Sequence, residues 1–281
     1  MTLIDAHTHI FAPGQVEDRR GLAARDATFA EIYGDPDARM ATATALVGVL
    51  DEAGIDRALA AGFSFSAESD IREQGEYIVA AARDEPRLIP LAPVNPGLAG
   101  WEEWAGEALR RGARGFGELR PHNQGWDPLG AASDRLCDLA AEAGAVLLWH
   151  VSEPLGHAYA GKAGGVTPVQ LCLLAAKHPG TKMIAAHLGG GLSFYLQMAE
   201  VRAALQNVWF DTAASGLLYD DESVSRLVDL AGPGRVLFGS DYPLQSPRRQ
   251  LQRLQALLPG KVAFAVCGGN ADTLFSDRHH S

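Results

Sequence analysis

Cysteine is scarce in this sequence, and the cysteines that occur stand far apart. There are three of them, Cys137, Cys172 and Cys267, and no two form a CxxC pair. Disulfide frameworks and thiolate zinc sites need paired or closely spaced cysteines. We therefore expect three buried thiols, with neither a disulfide scaffold nor a zinc–thiolate centre.

Long apolar runs and clusters of basic residues are also missing. No run approaches the length of a membrane helix, and the opening Met1-Thr2-Leu3-Ile4 has neither the basic nor the apolar region of a signal peptide. The formal net charge of −10 repels phosphate backbones, and basic residues form no cluster larger than an isolated pair such as Arg110–Arg111. We expect a soluble, cytoplasmic protein whose partner is a small-molecule substrate, not nucleic acid or a membrane. A homodimer is compatible with the apolar content.

Eight short apolar runs alternate with longer amphipathic stretches along the 281 residues. Nearly every residue of these runs is apolar, which is typical of strands buried on both faces. The runs are Leu3–His7, Arg57–Ala61, Leu88–Val94, Gly115–Leu119, Val146–His150, Met183–His187, Val208–Thr212 and Val236–Asp241. This alternation predicts an α/β fold, a single (β/α)8 barrel over residues 1–281. An open doubly wound sheet is the alternative, but His7-Thr8-His9 stands where its Gly-rich phosphate loop would be.

The segment from about residue 10 to residue 42 is unusual, because it leaves the first strand long before the first regular helix. It contains Pro13-Gly14, Gly34-Asp35-Pro36 and many charges. Long irregular segments in compact domains are usually functional or disordered. We expect a lid-like insertion over the barrel mouth, with a surface ornament as the alternative. The polar residues 277–281 are expected to fray, so His279 and His280 are not ligand candidates.

Polar side chains that bind metal ions end most of the predicted strands. Active sites of this barrel lie at the carboxyl ends of its strands. Alternation along a strand puts His7 and His9 on the same side, a suitable half-site for a borderline metal. Buried carboxylates and imidazoles need partners, and a divalent metal satisfies them together. The candidate metal-binding residues are His7, His9, Glu118, His150, His187 and Asp241.

Four segments, spread over nearly the whole chain, carry a resemblance to a known family. They are 3–9, 185–190, 236–243 and 269–275. With the histidines that end strands five and six, these segments resemble the amidohydrolase superfamily. They are closer to its amidohydrolase-2 branch, the family of aminocarboxymuconate-semialdehyde decarboxylase. The resemblance implies a barrel-shaped, metal-dependent enzyme and says little about the substrate.

The resemblance also implies roles for individual residues. The metal-binding positions of the family are matched by His7, His9, His150 and Asp241. His187 matches a strand-six histidine that holds or polarises the attacking water or the substrate. Glu118 is a departure, since many decarboxylase-like members lack an acidic ligand at strand four. A bridging Glu118 would allow a second ion, so one or two divalent ions are expected, zinc first and manganese second.

Metal-assisted hydrolysis is the expected chemistry. A divalent ion lowers the pKa of a bound water towards about 7 and polarises a carbonyl group. Asp241 would hold that water and pass its proton to the leaving group, while His187 would stabilise charge on the carbonyl oxygen. Because Glu118 fills the ligand set, we expect cleavage of a C–N or C–O bond in a small, carboxylate-bearing molecule.

Three other functions stay open at this point. The main alternative is non-oxidative decarboxylation of a small unsaturated or aromatic carboxylic acid, which the family resemblance permits. A metal-dependent nuclease would suit Glu118 but is disfavoured by the net charge of −10. A non-enzymatic metal-binding or scaffold protein is disfavoured by the complete ligand set.

Substrate contacts are expected from residues next to the metal ligands. The candidates are Arg120, His122, His157 and Tyr242. Arg120 would hold a carboxylate in a two-pronged contact, or else pair with a structural acid. Asp5 would support a metal-bound imidazole, or else form a hydrogen bond at the base of its strand.

Overall fold

A single sheet of eight parallel strands forms the centre of the computed structural model, which describes residues 2–276. Along the sheet the strands follow their order in the sequence. They are β1 (Ile4–His9), β2 (Arg57–Ala61), β3 (Leu88–Ala92), β4 (Gly115–Leu119), β5 (Val146–Trp149), β6 (Lys182–Ala185), β7 (Val208–Asp211) and β8 (Val236–Leu237). The predicted (β/α)8 barrel is confirmed, because a doubly wound sheet would place its strands out of sequence order.

Backbone hydrogen bonds join the first strand to the segment that follows the last one. The amide of Ala6 donates to the carbonyl of Phe238 over 2.7 Å. The amide of Asp241 donates to His7 over 2.9 Å, and the amide of His9 donates to Tyr242 over 2.7 Å. The sheet therefore closes into a barrel at β1. Two of the closing bonds involve the backbone of His7 and His9, which are candidate metal ligands.

Helices and short helical turns connect the strands. The α-helices are α1 (Pro13–Glu17), α2 (Arg19–Arg25), α3 (Ala27–Tyr33), α4 (Ala43–Ala53), α5 (Glu68–Asp84), α6 (Trp101–Arg110), α7 (Pro121–Gln124), α8 (Ala131–Glu142), α9 (Pro168–Lys177), α10 (Ala199–Ala204), α11 (Ser215–Leu218), α12 (Glu222–Ala231), α13 (Pro247–Leu257), α14 (Gly260–Phe264) and α15 (Asn270–Ser276). Shorter turns span His187–Gly189, Leu192–Gln197, Pro233–Arg235 and, as a π-helix, Ala265–Gly269. Gly54 caps the carboxyl end of helix α4, and its φ of +66° suits a residue without a side chain.

The strands are buried on both faces, as their apolar sequences predict. Inside the barrel, Ile4, Ala6 and Leu59 pack in one cluster with residues of the other strands. Phe275 of α15 joins this cluster, and its carbonyl accepts a hydrogen bond from Arg114, which precedes β4. Helix α15 therefore closes the end of the barrel where the strands begin, and leaves the carboxyl ends for a site.

Residues 10–42, the amino-terminal cover, are mostly helical. Phe11 and Phe29 are fully buried, with their ring centroids 6.0 Å apart. The Asp26 carboxylate caps α3 by accepting from the amide of Phe29, and it also accepts from the amide of Ser66. The expectation of a long irregular segment was wrong, since helices of five to seven residues are too short to show a helical period. Its movement as a lid stays a prediction.

Two of the three cysteines are buried, as expected, and the third is not. Cys137 and Cys267 are buried free thiols, while Cys172 is partly exposed because it lies on the flank of α9. Among the described residues, no helix combines the length and apolar character needed to cross a membrane. Residues 277–281, expected to fray, lie outside the described residues, and so do His279 and His280.

Candidate metal centre

The six residues predicted to bind metal meet at the carboxyl end of the barrel. By element, β1 supplies two, β4 supplies one, and the residues after β5, β6 and β8 supply one each: His7, His9, Glu118, His150, His187 and Asp241. Five of the six are buried, and the side chain of Asp241 is 13% exposed. The strand ends therefore bring together side chains that lie far apart in the sequence.

His7, His9 and Asp241 form one group of donor atoms. The two histidine Nε2 atoms are 3.1 Å apart. Asp241 Oδ1 lies 3.6 Å from Nε2 of His7 and 3.5 Å from Nε2 of His9. The imidazoles share one side, as predicted, although a bulge interrupts the β1–β2 ladder between Asp5 and Thr8.

Glu118 lies between this group and the other two histidines. Its Oε1 atom is 2.9 Å from His150 Nδ1 and 3.2 Å from His187 Nε2. Its two oxygens lie 3.9 Å from His7 Nε2 and 3.8 Å from His9 Nε2. One carboxylate therefore faces all four imidazoles, which is the central position that a shared ligand would occupy.

Asp211, at the end of β7, supports the site but was missed in the sequence. Its Oδ2 atom lies 2.7 Å from His7 Nδ1, and its Oδ1 atom accepts the backbone amide of His187 over 2.9 Å. The available signal was its place at the end of the seventh apolar run, where Asp211-Thr212 stands. A carboxylate on the far nitrogen of a histidine orients the ring and makes it a better metal ligand.

Asp5 does not take that supporting role. Its Oδ1 atom accepts the amides of Ser240 over 2.9 Å and of His7 over 3.2 Å, and these bonds link the two edges of the sheet. Burial raises the pKa of this carboxyl to about 7, although hydrogen bonds from Ser240 oppose the shift. The structure thus gives Asp5 the hydrogen-bonding alternative, while Asp211 contacts the imidazole.

The donor set fits a divalent cation. His7 Nδ1 faces the Asp211 carboxylate and His187 Nδ1 faces the Ala213 carbonyl at 3.1 Å, and both partners can only accept a hydrogen. Each ring therefore carries a hydrogen on Nδ1, and its Nε2 atom, which faces Glu118, is the position where a cation would replace a proton. Converging imidazole lone pairs and carboxylates are the ligands that zinc and manganese take. Two groups of residues could hold an ion, His7 with His9 and Asp241, and His7 with Glu118 and His187.

The electrostatics of the cluster favour positive charge. Burial lowers the pKa of His7, but the Asp211 carboxylate outweighs it and raises the value to about 10. For His187, burial again lowers the pKa, but the Glu118 carboxylate raises it, to about 9. Burial and the charge of Arg120 lower the pKa of His150 to about 4. The carboxylates therefore stabilise a cation at the His7 side of the site, and His150 stays neutral.

Two of the site residues have an uncommon backbone conformation. Asp241 has φ of +61° and His187 has φ of +58°, both in the left-handed region. Residues with side chains cost free energy there and are found where a site requires them. The turn at Asp241 also lets its amide bond to His7, so the backbone of one donor residue holds the other.

A cavity of about 610 Å³ opens above the donor atoms. The protein parts that line it are the amino-terminal cover, the loop after β2, the loop after β5, α11 and the turn after β8. Of the residues predicted to contact substrate, Arg120 and His157 lie in its wall. His122 is exposed and faces Gln170, and Tyr242 is buried behind Pro243, so neither lines the cavity.

Arg120 is buried, and most of its guanidinium is already bonded. Its Nη2 donates to the carbonyls of Gly161 and Ala163, the latter over 2.7 Å, and its Nε donates to Asn123 over 3.1 Å. Nη1 lies 3.9 Å from Glu118 Oε2, beside the donor cluster. Nε and Nη2 therefore already have protein acceptors, so the two-pronged contact with a substrate carboxylate stays a prediction that would require one of these bonds to break.

Residues 150–167, the β5–α9 loop, cover the cavity next to the amino-terminal cover, and the amide of Gly161 donates to Glu31 of α3 over 2.9 Å. Glu153 accepts hydrogen bonds from the hydroxyls of Tyr159 over 3.0 Å and Tyr219 over 2.7 Å. The Lys162 ammonium donates to the carbonyls of Leu155 and His157. Polar contacts therefore hold this loop in place over the site.

Known proteins share this fold and match this sequence. The profile of the amidohydrolase family matches residues 4–276. Among curated proteins, 6-methylsalicylic acid decarboxylase of Penicillium expansum is 33% identical over 119 residues, which cover 35% of this chain and 36% of that protein. The match thus spans about a third of the relative's length.

Solved structures resemble the chain over its full length. A 5-carboxyvanillate decarboxylase from Sphingomonas paucimobilis has a TM-score of 0.79 at 16% identity, covering 99% of both chains. A dihydroxybenzoic acid decarboxylase from a Polaromonas species, solved with manganese and the inhibitor 2-nitroresorcinol, has a TM-score of 0.72 at 16% identity, covering 98% of this chain and 97% of its own. At such identities the likeness establishes the fold.

The prediction of hydrolysis as the main activity was wrong. The named relatives are decarboxylases, which favours the alternative, and not cleavage of a C–N or C–O bond. That prediction depended on Glu118 as a sign of water activation. A carboxylate ligand neutralises cation charge in either chemistry, so its presence does not distinguish them.

Proposed function

This chain belongs to the amidohydrolase family, and we propose that it is a metal-dependent, non-oxidative decarboxylase of an aromatic carboxylic acid. The acids in the names of its relatives, 6-methylsalicylic acid and 5-carboxyvanillate, carry a phenolic hydroxyl beside the carboxyl group. The hydroxyl and carboxyl oxygens of such an acid are close enough together to bind the same divalent cation. The proposed substrate is therefore an ortho-hydroxybenzoic acid.

The observation that carries this proposal is an apolar slot directly above the donor cluster. Phe63 follows β2 and Tyr33 ends α3, and both line the cavity. Leu217 and Leu218 of α11 line it as well. A flat ring packs against such side chains, while its charged carboxyl group points towards the polar floor.

We propose that His7, His9, Glu118, His150 and Asp241 hold the ion, with His187 beside it. The bound cation would supply positive charge that binds the carboxylate and phenolate oxygens of the substrate and withdraws electrons from the ring. Manganese is the proposed metal, by analogy with the manganese-bound decarboxylase structure, and zinc is the comparison. The mixture of imidazole and carboxylate donors accepts either.

The residues of the chain would manage the proton and the orientation of the ring. In the reaction the ring–carboxyl bond breaks, carbon dioxide leaves, and the ring carbon takes a proton in its place. Asp241 lies in the cavity wall beside His9, so its carboxylate is placed to take the proton of the substrate hydroxyl and return it to that carbon. Arg120 Nη1 would hold an oxygen of the carboxyl group, and Phe63 would keep water from the ring.

Carbon dioxide release tests the activity. Protein loaded with manganese or with zinc would be given 6-methylsalicylate, 2,6-dihydroxybenzoate and 5-carboxyvanillate. The matched control is 4-hydroxybenzoate, whose hydroxyl is too far from the carboxyl group to share a cation. Release from at least one ortho-hydroxy acid and none from the control is expected; metal-loaded protein that releases none from any of them contradicts the proposal.

Metal analysis tests the ligand assignment separately from the activity. His9→Ala is expected to lose bound metal, because it removes one of two nitrogens that are 3.1 Å apart at the centre of the site. Glu118→Gln is also expected to lose bound metal, because it removes the carboxylate that faces all four imidazoles. A His9→Ala protein with full metal content would contradict the assignment of that residue.

A further inference from the structure

The hydroxyl of Ser152 lies between a candidate metal ligand and the backbone of the β5–α9 loop. Its Oγ atom is 3.0 Å from His150 Nε2, the ring nitrogen that faces away from Glu118. The same hydroxyl bonds to the backbone carbonyl of Lys162. Ser152 therefore connects His150 with a part of the loop ten residues further along the chain through one oxygen atom.

Counting hydrogens fixes the direction of both bonds. A carbonyl oxygen can only accept, so the single hydrogen of the Ser152 hydroxyl points to Lys162. The Ser152 oxygen can then only accept from His150, whose Nε2 must carry the ring hydrogen. His150 Nδ1 is left with a lone pair, and this atom lies 2.9 Å from Glu118 Oε1 and 3.2 Å from His187 Nε2.

The carbonyl of Lys162 reaches this position because the loop returns over His150. Val151 and Val166 form a parallel bridge, and the amide of Val166 donates to the carbonyl of His150 over 2.9 Å. Gly165 is so close that any side chain there would collide with the His150 ring. The hydrogen-bond partner of Ser152 therefore depends on this return of the loop over His150.

The other two oriented histidines do not depend on a loop in this way. His7 is oriented by Asp211, which belongs to β7, and His187 is oriented by the Ala213 carbonyl, two residues after β7. Both partners are fully buried parts of the barrel. His150 is oriented by a serine whose own partner lies ten residues further along a largely exposed loop.

We propose that Ser152 is a positioning residue that keeps the hydrogen of His150 on Nε2, so that Nδ1 binds metal, and that closure of the β5–α9 loop is required for this. The inference rests on the metal site proposed above and not on the identity of the substrate. The loop that covers the substrate thereby also adjusts the affinity of the site for its metal.

Metal affinity of Ser152 variants is the direct test. The dissociation constant for Mn²⁺ would be measured by competition with a fluorescent chelator. Ser152→Ala is expected to bind Mn²⁺ about 10- to 100-fold more weakly, the usual loss when a group that orients a ligand is removed. Ser152→Thr keeps the hydroxyl and is expected to stay within about threefold of the unaltered protein.

A matched control is Ser133→Ala. Ser133 is buried, and its hydroxyl also donates to a backbone carbonyl, that of Asp127, but it does not line the cavity. This variant is expected to bind Mn²⁺ like the unaltered protein. Full affinity in Ser152→Ala overturns the proposal, and so does an equal loss in Ser152→Ala and Ser152→Thr, because the hydroxyl would then not be the cause.

The position of the ring hydrogen is measurable as well. In zinc-loaded protein with ¹⁵N-labelled histidine, assigned with the help of a His150→Gln variant, His150 is expected to show a protonated Nε2 and an Nδ1 shifted by metal. A protonated Nδ1 overturns the proposal. Both measurements are independent of turnover, so a protein that releases no carbon dioxide but passes them contradicts only the proposed function.

Discussion

The two covers of the cavity are held by different forces. The amino-terminal cover is anchored by aromatic side chains, with Phe11 and Phe29 fully buried. The β5–α9 loop is held by hydrogen bonds instead, including those that the Lys162 ammonium donates to backbone carbonyls. Its residue Leu155 is 79% exposed. The stabilisation from a packed apolar cluster is lost only when the whole cluster opens. A single hydrogen bond contributes only about 1 kcal/mol net, and it can break by itself. We therefore expect the β5–α9 loop to open more readily than the amino-terminal cover.

The largest effect is expected from an aromatic anchor of the amino-terminal cover. Phe29→Ala removes a fully buried ring that contacts Phe11 and Phe65, so the free energy of unfolding should fall by about 3–5 kcal/mol in urea denaturation. Leu155→Ala, the equivalent truncation in the other cover, should change it by less than about 0.5 kcal/mol. Similar losses in the two variants would remove the distinction between the covers.

Arg120 is the strongest single attachment of the β5–α9 loop. Arg120→Met keeps the length of the side chain but leaves the carbonyls of Gly161 and Ala163 without their donor, at a cost of about 3 kcal/mol. Amides of the loop should then exchange hydrogen faster, while those of α2 and α3 stay protected. Arg135→Met, at an exposed arginine that bonds to Glu102, serves as the control and should have little effect. Faster exchange in both covers would show that they open together.

Asp26 tests whether a polar contact matters in the aromatic cover too. Asp26→Ala removes the cap of α3 and the acceptor of the Ser66 amide, so we expect a loss of about 2 kcal/mol by thermal denaturation. Asp26→Asn keeps one acceptor oxygen and should lose about half as much. A neutral Asp26→Ala would mean that the aromatic cluster alone holds this cover.

The smallest effect is expected at Glu153. Glu153→Gln weakens two tyrosine hydrogen bonds at a partly exposed position, so the loss should be about 1 kcal/mol. A double-mutant cycle with Tyr219→Phe isolates the bond between the loop and the residue that follows α11, and should give a coupling of about 0.5–1 kcal/mol. Zero coupling would remove this contact from the attachments of the loop.

The fold and most of the site could be predicted from local patterns. Eight apolar runs identified all eight strands of the described residues, because strands buried on both faces are apolar at most positions. The donor residues were found at strand ends, since a barrel brings the ends of all its strands to one rim. Their roles as ligands remain proposals.

Residues that act through contacts distant in sequence were harder to find. Asp5 is two residues from His7 and was considered as its support, but Asp211, 204 residues away, makes the contact. Tyr33 and Phe63 line the cavity from segments without a regular period, so no pattern marked them. The same limit applies to Arg120, whose Nη2 bonds to the backbone of another loop, about forty residues further along the chain.

The seam between β1 and the segment after β8 has a consequence for synthesis. His7 and His9 leave the ribosome early. Ser240 comes 235 residues after Asp5, to which it is bonded, and Asp241 follows it. Chains fold as they emerge, domain by domain. A growing chain therefore holds the two histidines without Asp241, the carboxylate of their group, until residue 241 has been synthesised. We expect the proposed metal site to form only after that point.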